Sequence, residues 1–154
     1  MTLDDGQKVD VLLAALEERY QALRTIRERV QSIGIWALGL LVGAGGWLIQ
    51  AEDNLSCPER VIALLGLAGA VLTLRLVYLA DLQKGFAAQQ RTAAKLEAAL
   101  GLYEVGVFDR ADVPIYPASW ANAGDEKGSG RFFASTYALL YVGAAFLGVV
   151  ILFS

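Results

Sequence analysis

The sequence predicts an all-α integral membrane protein with three transmembrane helices and a cytoplasmic antiparallel helical stalk extending spans one and two. Three observations carry this. Residues 33–49, 61–80 and 132–153 are long apolar runs; the first and third contain no Asp, Glu, Lys or Arg, and the second contains only Arg75. A bilayer core of about 30 Å needs roughly 20 helical residues at 1.5 Å rise each. Beyond the first two runs, apolar residues continue at a spacing of three and four on otherwise charged segments, the pattern of helices that pack along one seam. Gly and Pro cluster between the second stripe and the third run, where the chain must turn back.

Composition narrows the class. About 60 of the 154 residues fall in the three runs, which leaves too little chain for a separate globular core. One integrated membrane domain over 1–154 is expected. Its parts are a stalk helix plus span one at 8–50, an outer loop at 51–57, span two plus a stalk helix at 58–103, a cytoplasmic connector at 104–130 and span three at 131–153. The apolar fraction of 56% agrees. A net charge of −3 points away from nucleic acid. Cys57 is the single cysteine and there is no histidine, so an intramolecular disulfide, a Cys-based zinc cage and the commonest general base are all excluded.

The first element, from Lys8, has no Gly or Pro before its span. Val9, Leu12, Leu16, Leu23, Ile26, Val30 and Ile33 form its stripe, with Arg19 as the single interruption. One helix of roughly 60 Å results. About 30 residues, containing Asp4, Asp5, Asp10, Glu17 and Glu18, precede the first span and no small-residue cleavage site follows it, so the expectation is a retained anchor rather than a secretory signal. The second helix starts where Ser56 and Glu59 fit a capping box with Pro58 in the first turn. Its stripe runs through Leu79, Leu82, Phe86, Ala93, Leu96, Leu100 and Tyr103, with Gln89 as the polar entry, Gly85 as a weak point and Gly101 as a stop. In the connector, the stretch 113–120 is too apolar for a free linker. It is expected to pack on the stalk or to lie at headgroup level, where Trp and Tyr are favoured.

Lys and Arg counts set the orientation. Lys8, Arg19, Arg24, Arg27 and Arg29 precede span one, and Lys84, Arg91, Lys95, Arg110, Lys127 and Arg131 lie between spans two and three. The loop between spans one and two carries only Arg60, beside Glu52, Asp53 and Glu59. The N-terminus is therefore expected in the cytoplasm and the C-terminus outside, as for a multi-pass inner-membrane protein. Cys57 then faces the more oxidising side, either as a free thiol or in a disulfide between subunits.

The candidate functional residues are of two kinds. Small residues mark helix contacts in lipid, where no hydrophobic force drives helices together. They are Gly39, Gly43 and Gly46 in span one, Ala63, Gly66, Ala70 and Thr73 in span two, and Ala134, Ala138, Ala145 and Gly148 in span three. Packing within one subunit, span one against span two, is the simpler expectation; contact with another copy is the alternative. The second kind is cationic. Arg75 either snorkels to the headgroups or lines a polar path and meets a lipid phosphate. Arg24, Arg27, Arg29 and Arg131 border the spans, as positive-inside topology or a lipid or anion site requires. Ser135, Thr136, Tyr137 and Tyr141 are expected to form interhelical hydrogen bonds. No catalytic, cofactor or metal motif is visible, so no enzymatic activity is expected.

A basic-edged helix running into a span, a short outer loop and a second span continuing as a long helix, all within 12–100, resemble the SLATT family of bacterial membrane effectors. The resemblance implies a membrane protein that oligomerises and permeabilises the bilayer. A third span after the connector and the lack of a nucleotide-sensing domain depart from that pattern. The functional expectation is a self-assembling small polytopic protein in contact with membrane lipids, forming an ion-permeable pore or membrane-disrupting effector. The alternative is a non-enzymatic scaffold or accessory subunit that docks a cytoplasmic or membrane protein through its stalk. A small transporter is the weakest reading, since the spans carry almost no charge to bind a substrate.

Overall fold

The computed structural model describes residues 4–51, 55–107, 113–125 and 131–154, and the side chain of Arg131 lies outside that description. Among the described residues all regular structure is helical. Helix α1 spans Asp5–Gln50 and α2 spans Cys57–Thr73. A π-helical segment, Leu74–Leu79, leads from α2 directly into α3, Ala80–Ala99. A short 3-10 turn covers Ala118–Asn122, and α4 spans Arg131–Phe153. Three stretches are long and apolar enough to cross a membrane: α1, the continuous helix Cys57–Ala99, and Phe132–Phe153 of α4. They mark a multi-pass membrane protein. Glu52, Asp53, Arg110 and Lys127, used above for orientation, lie outside the described residues.

Local chemistry explains the helix ends. Asp4 starts α1 ahead of Lys8: its carbonyl accepts the Lys8 N–H at 3.0 Å, and its carboxylate accepts the Asp5 N–H at 2.7 Å. At α2, the Glu59 carboxylate reaches back to accept from the Ser56 N–H at 2.8 Å and its hydroxyl at 2.5 Å, with Pro58 in the first turn. Those two bonds hold the Glu59 carboxyl below its ordinary range. Helix α3 ends in a Schellman motif. Gly101 adopts φ +75°, its N–H bonds to the Ala98 carbonyl at 3.0 Å, and the Leu102 N–H bonds to the Glu97 carbonyl at 3.1 Å.

The π segment interrupts what the sequence reads as one uniform helix. The Ala80 N–H reaches five residues back to the Arg75 carbonyl. One extra residue in a turn rotates every later side chain by roughly 100° relative to an unbroken α-helix. The stripe that begins in α2 is therefore re-aimed in α3. Phe86, Ala93, Ala94 and Glu97 are buried there, and Leu96 of the predicted stripe is only half-buried.

The chain divides into two compact units, Met1–Ile26 with Lys84–Ser129 and Arg27–Gln83 with Gly130–Ser154. In the first unit, Leu16 of α1 and Phe86, Ala93 and Ala94 of α3 are buried. Arg19 and Gln89, the polar interruptions of the two stripes, bond to each other, the guanidinium donating to the amide oxygen at 2.9 Å. The described part of the connector packs on these helices. The Tyr116 N–H donates to the Leu102 carbonyl at 3.0 Å. Gly124, at φ +93°, sits so close to α3 that a Cβ there would lie 2.5 Å from the Ala87 carbonyl oxygen.

In the second unit, α4 packs on both α1 and α2. Its buried face is Phe133, Thr136, Leu140, Gly143, Leu147 and Ile151, a run of steps of three and four. Val30 of α1 and Leu79 of the π segment are fully enclosed. At the far end Arg60 of α2 donates to the Leu152 carbonyl at 3.4 Å, placing a cation at the C-terminus of α4 where the helix dipole favours it.

Two glycine substitutions separate conformation from packing. Gly101→Ala forces a side chain into a left-handed backbone and should lower stability by about 1 kcal/mol. Gly85→Ala adds a methyl where nothing lies within 4 Å and should raise it by about 0.5–1 kcal/mol. Thermal melts in detergent followed by circular dichroism check both, and equal shifts of the same sign would contradict the assignment.

Candidate functional site

Arg75 occupies the π segment of the second unit. Its guanidinium lies 6.0 Å from the ring centre of Tyr137 and 5.6 Å from that of Tyr141, one turn apart on α4. No carboxylate among the described residues pairs with it. Tyr137 donates its hydroxyl to the Gln83 side-chain oxygen at 3.4 Å. The charge is thus held by aromatic faces rather than by an acid, and the residue keeps an exposed edge. A guanidinium so placed has N–H donors open to an anion or a headgroup phosphate.

The small residues divide into two sets. Tight packing within the chain falls on Gly34, Gly45 and Gly143. A Cβ at Gly34 would lie 3.2 Å from the Thr136 side chain, one at Gly45 would lie 2.5 Å from the Phe146 ring, and one at Gly143 would lie 3.0 Å from Leu41. Thr136 sits in that seam, donating to the Phe132 carbonyl at 3.0 Å. By contrast, nothing lies within 4 Å of a Cβ at Gly39, Gly43, Gly46 or Gly66. Gly148 only grazes Leu64 and Leu67 at 3.9–4.0 Å, and Ala70, Ala138 and Ala145 are exposed. Gly34 and Gly45 stand eleven residues apart, three helical turns, so they share a face; that spacing was the available signal for the seam against α4. Gly66 and Ala70 border an open apolar groove with Trp47 and Leu147.

Among the cationic residues, Arg27 rests 6.0 Å from the Phe132 ring centre and borders a cleft with Ser135 and Thr136. Arg24 and Arg29 are exposed on α1. Arg131 begins α4, and its side chain lies outside the described residues. Cys57 is a free, exposed thiol in the first turn of α2.

The first unit holds a second polar centre, which sequence reasoning missed. Glu97 of α3 is 7% exposed. Tyr20 of α1 donates to one carboxylate oxygen at 2.6 Å and Tyr103 donates to the other. Tyr103 meets Tyr116 edge-on at 6.1 Å, and Tyr116 meets Trp120 at 5.4 Å. Loss of water contact, then donation to Glu97 and its negative charge, push the Tyr20 and Tyr103 phenols well above their ordinary value. Tyr20 lies 77 residues from Glu97 in the sequence, and Tyr103 lies beyond the end of α3, so helical spacing alone does not bring the three together.

No described protein family, curated protein or solved structure matches this chain. The functional argument therefore rests on geometry.

Three outcomes are expected. Gly45→Val crowds Phe146 and should destabilise the second unit by about 1–3 kcal/mol in a denaturation series, and a neutral result would remove α4 from this seam. Arg75→Ala should leave the fold intact and cost about 0.5–2 kcal/mol through the lost aromatic contacts. Raised phenol values mean that the folded state holds its protons longer than the unfolded chain. Their contribution is complete below about pH 10 and declines as pH rises beyond it. Tyr103→Phe should flatten that alkaline decline, read by tyrosinate absorbance alongside circular dichroism.

Proposed function

We propose that this chain is a small polytopic inner-membrane protein that self-assembles through the exposed glycine face of α1, with an ion-permeable pore or membrane-disrupting effector as the working form. The observation that carries the reading is the open row Gly39, Gly43 and Gly46, where an added Cβ would meet nothing within 4 Å beyond its own helix backbone among the described residues. Small residues let two helix backbones approach in lipid, and a chain that packs its third span elsewhere leaves this row for a neighbouring copy. The groove beside Gly66 and Ala70 adds a second surface of the same kind. The SLATT-like architecture supports the effector form. The N-terminus faces the cytoplasm and the C-terminus the outside, and Arg75 with Arg24, Arg27, Arg29 and Arg131 contacts anionic headgroups at the cytoplasmic boundary.

A second reading has its own observation. Val9, Val11 and Leu13 of α1 are about half exposed, at 47%, 56% and 51%. Apolar positions left uncovered on a helical stalk suit a scaffold or accessory subunit docking a cytoplasmic or membrane protein.

Light scattering of the detergent-purified protein decides between them when joined to conductance in planar bilayers. A closed oligomer that conducts supports the pore. An oligomer without conductance, or a monomer that gains order only with a partner, supports the scaffold. Gly43→Leu should shift the assembly toward monomer by roughly tenfold in dissociation constant while leaving helicity unchanged. A wild-type oligomer unmoved by that substitution would refute the glycine face as the interface.

A further inference from the structure

The first unit contains a cavity of about 270 Å³ between α1, α3 and the connector, which self-assembly does not use. Glu97, Gln90, Tyr20 and Trp120 line it, over a floor of Ala93 and Ala94. We propose that this cavity binds a short primary alkylammonium compound, held between the Glu97 carboxylate, the Gln90 side-chain oxygen and the aromatic faces of Tyr20 and Trp120.

The chemistry of the lining selects the ligand. Glu97 is buried, and its donors Tyr20 and Tyr103 are neutral phenols, which satisfy lone pairs without cancelling charge. The Gln90 oxygen is buried with no donor among the described residues. A buried acceptor without a partner is costly, and two acceptors on one cavity call for a donor between them. Neither Lys nor Arg is among the described residues of the lining. Aromatic faces beside a carboxylate attract cations. A metal ion is disfavoured, because no group of three His, Cys, Asp or Glu side chains comes together among the described residues. A quaternary ammonium has no N–H for Gln90 or Glu97, whereas a primary ammonium has three. The volume lies at the lower limit for ligand sites and suits a chain of a few carbons.

The test uses the full-length protein in detergent with Trp36→Phe and Trp47→Phe, so that Trp120 is the sole tryptophan. Propylammonium chloride is titrated against sodium chloride and tetramethylammonium chloride at matched ionic strength. The expected result is a saturable change in Trp120 emission with a dissociation constant of millimolar order, together with a rise in melting temperature, for propylammonium alone. Glu97→Gln should weaken binding by roughly tenfold or more. Gln90→Leu keeps Glu97 and its tyrosines, removes the Gln90 acceptor at similar side-chain size and should weaken binding by roughly tenfold, so it decides the matter where Glu97→Gln does not fold. An equal response to all three salts, or propylammonium binding unchanged in Gln90→Leu, would overturn the assignment. Neither outcome bears on the oligomer.

Discussion

The second unit depends on a solvent other than water for its apolar surface. In the most apolar window of each candidate span, 11% of α1, none of Cys57–Ala99 and 28% of α4 is buried inside the chain. Trp36, Leu40, Trp47 and Ile62 each keep about 70% of their surface open. In water such faces would collapse together or aggregate. In lipid they cost nothing, and what then decides packing is how closely backbones approach and where polar groups find partners. This explains why few residues of the unit are enclosed and why α1 and α4 approach most closely at glycines and a threonine.

Helix α4 gains most from this arrangement. It is the most buried span because it faces two helices, α1 through Gly34, Gly45 and Gly143, and α2 through Gly148 and Arg60. Its aromatic residues do different work along its length. Phe146 fills the space left by Gly45, while Tyr137 and Tyr141 turn their rings to the one charged residue of the spans. The π segment gives Arg75 its setting, since a widened turn changes the direction of the side chains within it and of those that follow.

The three spans, the capped start of α2 and the glycine stop of α3 were legible because each rests on local chemistry: an apolar run, a Ser–Glu pair, a left-handed backbone. The pairing of Arg19 with Gln89 was half legible, each appearing alone as a flaw in an apolar stripe. The intrachain seam was not. Counting glycines at four-residue spacing picks out Gly39 and Gly43, where an added Cβ would meet no other helix among the described residues, and passes over Gly34 and Gly45, whose partners lie a hundred residues away. The π segment was also invisible, because Leu-Arg-Leu-Val-Tyr-Leu contains no proline or glycine and offers no local reason for the extra residue. Glu97 escaped because a carboxylate on a helix is ordinarily solvated, and the phenols that enclose it come from α1 and the segment after α3.

The two units fix polar groups by opposite means. In the second, Arg75 is left without an acid and is held by ring faces, an interaction that strengthens as water is removed and asks for no buried counter-charge. In the first, Glu97 has no ion pair with a base among the described residues and is held by two phenol hydroxyls. Each solution anchors a charge to a neighbouring helix while leaving it electrostatically uncompensated. An ion pair would have satisfied either group and closed it to outside partners. Residues held this way keep the capacity to meet a counter-ion from outside the chain: an anion beside Arg75, a cation beside Glu97.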